Sequence, residues 1–324
     1  MMHSLAPDAL WASVGVAALW GGLLMMTTAI VGYRGLAFLS YLVVPMFILL
    51  AGVSFMLGIY EGGGLAPLLT ITPPEPLSIS WGVTLVVGMY IVGAVITADV
   101  GRYCKKPRDA PIGGVVQIMT LQVFFLLGAG ALTLAMGEPL ITKALLAGGI
   151  GLGAYMMAVF GQWTTNDNNL YSGSLSYVTF LPVKRSLVTL IEGLIGTGVA
   201  AYLGFTAGAS LEPFEAFLGI LGRFLPAVGG VLIADFYVFQ WYRGVPIKER
   251  YKIKPGMRFA EINLAGWIAA LVGGIVGGWL IKVGIPALNS LVLGFVIYLV
   301  VSILSDKAKI RISLGEHIIT EAGE

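Results

Sequence analysis

The chain has 324 residues, 57% of them hydrophobic and 11% charged, with a mean hydropathy of +0.90. Ordinary soluble domains carry about 25% charged residues, so a water-soluble globule is excluded and lipid must be the solvent for most of the surface. The net charge of +2 gives no electrostatic footprint for nucleic acid, which is not expected as a partner.

Apolar runs long enough to cross roughly 30 Å of hydrocarbon fall in chain order at 9–31, 36–58, 81–99, 113–135, 145–168, 187–207, 215–239, 263–283 and 288–305. They are continuous, whereas a membrane β-barrel would show alternating ten-residue segments. The expected fold class is therefore all-α, a multipass membrane protein of nine spans. Residues 1–8 (MMHSLAPD) show neither a basic n-region nor a cleavage site and read as ordinary chain, not a signal peptide. The segment 59–80, IYEGGGLAPLLTITPPEPLSIS, reads as an external loop rich in Gly and Pro.

The third run continues into GMYIVGAVITADVGRY (88–103). Gly88 and Gly93 flank a segment that is expected to unwind beside Tyr90, since broken helices form midplane sites in secondary transporters. Asp99 and Arg102, at i and i+3, are expected to form a local ion pair. Three further charges, Glu192, Arg223 and Asp235, lie inside spans. Intramembrane ionisable groups are functional suspects. Glu192 and Asp235 suit an interfacial or helix-packing role equally well, and Arg223 either snorkels outward or bonds a carbonyl freed near Pro226.

Basic residues set the orientation. Segments after the first, third, fifth, seventh and ninth runs hold 16 of the 19 Lys+Arg residues, among them Arg34, Lys105, Lys184, Arg243 and Lys307. By the positive-inside rule the C-terminus is cytoplasmic and the N-terminus lies outside, in the plasma or inner membrane of the cell. Cys104 is the only cysteine, which excludes an intramolecular disulfide. His3 and His317 sit at the tips, so no histidine metal site or proton relay is expected within the membrane. No H-E-x-x-H motif, intramembrane aspartate pair or Ser/His combination occurs in the spans, so an intramembrane enzyme is not expected. The many glycines in spans, such as Gly273, Gly274, Gly277 and Gly278, are read as helix-packing positions.

The strongest break in the apolar pattern is GQWTTNDNNLYSGS (161–174), with seven polar side chains within 162–169. Unsatisfied polar groups in hydrocarbon cost several kcal/mol, so these must face protein or a wet cavity. Gly161, Thr164 or Thr165, and Asn168 share a helical face. Neutral hydroxyl and amide oxygens suit a weakly held Na⁺, and amides match the edges of a heterocycle. The competing reading is that threonines bond back to the i−4 carbonyl and asparagines glue helices.

Together with TADVGRY (97–103) and PAVGGVLIADFYV (226–238), the stretch WTTNDNNLYSGSLS (163–176) resembles the cytosine permease branch of the nucleobase:cation symporter family. The likeness runs from about residue 8 to the end. It implies a five-plus-five inverted-repeat fold with two further helices, and uptake of a nucleobase coupled to Na⁺ by alternating access. The same likeness places Tyr90 against the substrate ring and Thr164 and Thr165 as Na⁺ ligands. Val92 stands where cytosine permeases have a serine, and Gly161, also at the Na⁺ site, where they have an asparagine that contacts cytosine. Gln162 and Asn166 complete the implied substrate set. The two replacements leave a purine or another pyrimidine as equal candidates to cytosine.

In this register the nine spans correspond to the family's helices four to twelve, which accounts for an N-terminus outside. One transporter domain over 1–324 is expected: 9–58 as the remnant of the first repeat, 81–239 as the second, 263–305 as two additional helices and 306–324 as a cytoplasmic tail. Half of the cation site is then expected on helices outside these residues. A misassigned start, a truncated gene or a separate chain carrying those helices would each explain the register, and a non-transporting relative is the alternative function.

Overall fold

A computed structural model describes residues 2–72, 78–106, 108–179, 181–208, 212–250, 252, 258–310, 312–315 and 317–318. Residues 73–77 of the 59–80 loop, Lys254, Arg311 and the tail beyond 318 lie outside the described residues, as does the side chain of His317.

Nine long helices occur among the described residues: α1 (Val14–Val31), α2 (Tyr33–Glu61), α3 (Ile79–Gly101), α4 (Asp109–Met136), α5 (Gly151–Val178), α6 (Arg185–Thr206), α7 (Glu212–Ile233 and its extension to Tyr242), α8 (Leu264–Leu280) and α9 (Pro286–Ala308). Seven are long and apolar enough to cross a membrane; α5 is too polar by composition, and α8 is apolar but shorter. The protein is an all-helical multipass membrane protein, with one two-residue β-pair, Arg258–Phe259 on His317–Ile318.

The boundaries differ from expectation where local chemistry intervenes. The first run opens with a 3₁₀ turn, Leu10–Ala12, before α1. The fifth begins later than hydropathy suggests, because Ile141–Ala147 forms its own short helix and Gly149 turns the chain at φ +79°. It also ends later, at Val178, and Ser174 and Ser176 bond back to the Tyr171 and Ser172 carbonyls of the same helix. Another short helix, Leu65–Thr70, lies within the 59–80 loop. α4, α7 and α8 each contain a π-turn, at Gln117–Gln122, Ala234–Phe239 and Val276–Leu280.

The Gly88–Gly93 segment does not unwind: α3 is one continuous helix. Gly88 serves packing instead. A Cβ there would clash with the Leu218 carbonyl of α7, and one on Gly222 would lie 3.0 Å from the Gly88 nitrogen. Asp99 and Arg102 do not pair either; Arg102 turns to two tyrosines.

The chain divides into two compact units, one of 1–74 and 98–210 and the other of 75–97 and 211–324. In the first, α1 runs along α6, α2 along α4, and α5 touches α1, α2 and α6. Leu132, Leu145, Ala154 and Ala158 form the core where the 141–147 helix meets α5. In the second, α7, α8 and α9 pack on one another around Ala234, Ala265, Ala269 and Tyr298. Asp235 of α7 accepts a 2.6 Å hydrogen bond from the Tyr298 hydroxyl of α9, a helix-packing role.

Small residues set the close approach of these helices, as expected where lipid supplies no hydrophobic drive between them. At Gly277 an added Cβ would lie 2.5 Å from the Ser290 backbone, whereas at Gly196 it would meet nothing within 4 Å. Gly277→Ala should therefore cost about 1–3 kcal/mol from overpacking. The thermal unfolding midpoint in detergent is expected to fall for Gly277→Ala and to hold for Gly196→Ala; equal midpoints would contradict this packing.

Candidate functional site

Because α5 is contacted by helices on several sides, its polar residues are divided among them. Gln162, Asn166 and Asn169, spaced i, i+4 and i+7, form one stripe. They line a cleft of about 470 Å³ with Gly21, Gly22 and Met25 of α1 and Glu192, Gly193 and Thr197 of α6. Thr164, Asp167 and Asn168 form a second stripe, lining a cleft of about 600 Å³ with Tyr33, Ser40, Tyr41 and Pro45 of α2. Pro45 lies inside α2 and has no N–H to give the Tyr41 carbonyl, so an acceptor oxygen is left over on that wall.

The hydroxyls of Thr164 and Thr165 both donate within their own helix. Thr164 Oγ1 reaches the Phe160 carbonyl at 3.0 Å, and Thr165 Oγ1 the Gly161 carbonyl at 3.0 Å. Back-bonding uses the hydroxyl proton and leaves the oxygen lone pairs available. Asn166 Nδ2 donates to the Gln162 carbonyl at 3.0 Å, which leaves its amide oxygen to accept.

Asp167 is the buried member, at 2% exposure. Its Oδ2 accepts from Thr28 Oγ1 of α1 at 3.0 Å, and the same Thr28 oxygen accepts from Trp163 Nε1 at 2.8 Å. The Trp163 ring stacks on Phe160, centroids 6.0 Å apart. One threonine thus relays between an indole and a carboxylate and fixes α5 against α1.

At the basic end of this unit, two arginines hold the helix termini. Arg185, at the start of α6, donates to the Ala29 and Ile30 carbonyls at 2.9 Å each, capping the last turn of α1. Its guanidinium lies 5.0 Å over the Tyr171 ring. Gly32 allows that approach with φ +94°, where a Cβ would fall 2.7 Å from Arg185 Nη2. Arg102 donates to the Tyr171 hydroxyl at 2.9 Å, and the Tyr103 and Tyr171 hydroxyls are 2.7 Å apart. Tyr103 stacks on Tyr33 at 3.7 Å between centroids. The bond from Tyr171, helped by Arg102, holds the Tyr103 hydroxyl below the ordinary tyrosine value.

The residues singled out from sequence separate as follows. Thr164 opens on the cleft beside α2, and Gln162 and Asn166 on the cleft between α1 and α6. Thr165 is exposed. Gly161 faces Phe47 of α2, where an added Cβ would sit 3.3 Å from the ring. Tyr90 and Val92 belong to the other unit. Reasoning from sequence missed the roles of Asp167, Thr28 and Arg185. An aspartate flanked by amides in an apolar run was the signal for the first; a threonine within 14–31 gives none by itself.

The sequence profile of the family described as "Permease for cytosine/purines, uracil, thiamine, allantoin" matches residues 9–301. The chain belongs to this family. It is 31% identical over 283 residues to proteins named "Cytosine permease" from Escherichia coli strain K12 and from strains O6:H1 and O157:H7. The alignment covers 87% of this chain and 63% of each relative, so the chain spans under two thirds of their length. The family is one of membrane permeases, transporters by name and not enzymes.

The Thr28 relay is open to test. Thr28→Val removes the acceptor of the Trp163 indole and the side-chain donor to Asp167 Oδ2, at about 1–3 kcal/mol for a buried unsatisfied group. The unfolding midpoint should fall clearly for Thr28→Val and only slightly for Thr28→Ser. A valine variant as stable as the parent would contradict the relay.

Proposed function

We propose that the chain takes part in Na⁺-coupled uptake of a nucleobase, cytosine or a related purine or pyrimidine, by alternating access within a five-plus-five inverted-repeat fold. One observation carries the proposal. The polar stretch of α5 opens on two clefts with chemically different walls, in a member of a permease family whose similar relatives are named for cytosine. Gln162, Asn166 and Asn169 offer amide donors and acceptors that suit the hydrogen-bonding edge of a base. Thr164, beside Asp167, offers oxygen to a hard monovalent cation. Tyr90 and Val92, in the second unit, are kept as the substrate residues that the resemblance implies.

Gly161 in place of the asparagine of the resembled pattern argues for breadth. The asparagine amide that the resembled pattern gives to cytosine is absent there, so a purine or another pyrimidine suits the reading as well as cytosine does. Uptake of radiolabelled cytosine, adenine and hypoxanthine into cells expressing the protein, each competed by the other two, tests the reading. Saturable uptake that falls when Na⁺ is replaced by choline is expected. Uptake at background with all three bases would overturn it and favour the non-transporting reading.

The proposal includes an orientation in the plasma or inner membrane with the basic segments cytoplasmic. Cys104 is exposed just beyond α3 and is the chain's only cysteine. A membrane-impermeant maleimide should leave it unlabelled in intact cells and label it after permeabilisation. Equal labelling in both would reverse the orientation.

A further inference from the structure

Arg223 belongs to neither cleft of α5, and its setting in the second unit is unlike that of the other arginines. It lies well inside α7, yet it meets Trp81, close to the start of α3 at Ile79, and Trp279, next to the end of α8 at Leu280. Its guanidinium carbon is 4.7 Å from the Trp81 ring centroid and 5.7 Å from that of Trp279. The cage depends on glycine. A Cβ on Gly278 would come within 2.8 Å of the Arg223 Cβ, and one on Gly219 within 2.5 Å of the Trp81 ring.

Both rings attract the cation by their faces, but an aromatic face is a poor substitute for a hydrogen-bond acceptor. The Arg223 Nε is enclosed and has no hydrogen-bond partner among the described residues. The guanidinium borders a pocket of about 150 Å³ whose other cation is the exposed Lys282. Among the described residues no Asp or Glu lines it. Ser80 Oγ donates to the Gly284 carbonyl at 2.8 Å, which holds the wall in place. Two cations and an open side give a wall whose charge is complementary to an anion. The volume is about five times the roughly 30 Å³ share of one water molecule, enough for a tetrahedral anion. A guanidinium fork matches phosphate oxygens in pairs, and an ammonium adds a point charge.

We propose that the pocket of Arg223 and Lys282 binds a phosphate group, presented by an anionic phospholipid headgroup or as free inorganic phosphate. The helix ends that form it, with tryptophan on both sides, place it at the depth where phospholipid headgroups lie. The phosphate supplies the negative charge that the described residues lining the pocket do not.

The test is native mass spectrometry of the purified protein after equilibration with phosphatidylglycerol or phosphatidylcholine, with and without inorganic phosphate. One retained phosphatidylglycerol per chain, and less phosphatidylcholine, assigns the site to an anionic lipid. Displacement of that lipid by millimolar phosphate, or a phosphate-induced rise in unfolding temperature without lipid, assigns it to free phosphate. Lys282→Gln alters only an exposed side chain and should lower retention of the bound species about tenfold, as the loss of one charge-assisted contact implies. Arg223→Gln should lower it further if it folds. Retention unchanged in Lys282→Gln, or no preference for phosphatidylglycerol over phosphatidylcholine with no response to phosphate, would overturn the proposal.

Discussion

Hydrocarbon accepts no hydrogen bonds, and nearly every polar feature of this chain is arranged around that fact. A side chain that would meet water in a soluble protein must here find a carbonyl, a hydroxyl or an aromatic face within the protein. α5 meets the demand in two ways at once. Its threonines bond inward to their own helix, while Trp163 and Asp167 meet across the gap to α1 at Thr28. The groups left with spare acceptor capacity are those that open on the clefts. Satisfying the backbone first and leaving lone pairs at the cavity is what a site for a small polar solute requires.

The same constraint explains the arginines. Arg185 caps the end of α1, where the last carbonyls of a helix lack partners, and it rests on an aromatic ring while doing so. Arg102 reaches two phenol oxygens in the same region. Neither needs a carboxylate. Among the described residues the ion pairs are Arg243 with Asp306 and Lys252 with Glu249, both with exposed side chains, where such pairs contribute little.

The spans were legible in sequence because hydropathy over twenty residues is a sum, and sums tolerate local error. Where the expectation failed, a single residue made the difference. Gly149 turns the chain and delays α5. Gly88 looked like a point of unwinding, yet its missing side chain serves the crossing with α7. A glycine in a membrane helix has the same spelling in either role, and only the neighbour distinguishes them. The polar stretch was legible as the break in the apolar pattern that must face protein or a cavity, but not its division between two clefts. That division depends on which helices flank α5, and pairwise packing is not written in one segment. The Asp99–Arg102 expectation failed for the same reason, since Tyr171 lies 69 residues from Arg102.

The central claim is that the two stripes of α5 hold different partners, a base on the amides and a cation beside Thr164. Equilibrium binding of radiolabelled cytosine to the purified protein in lipid nanodiscs, titrated with NaCl at constant ionic strength, tests it most directly. Binding should tighten with Na⁺; Asn166→Ala should weaken binding at every Na⁺ concentration, and Thr164→Val should abolish the Na⁺ response alone. Binding indifferent to Na⁺ and to both substitutions would contradict the account.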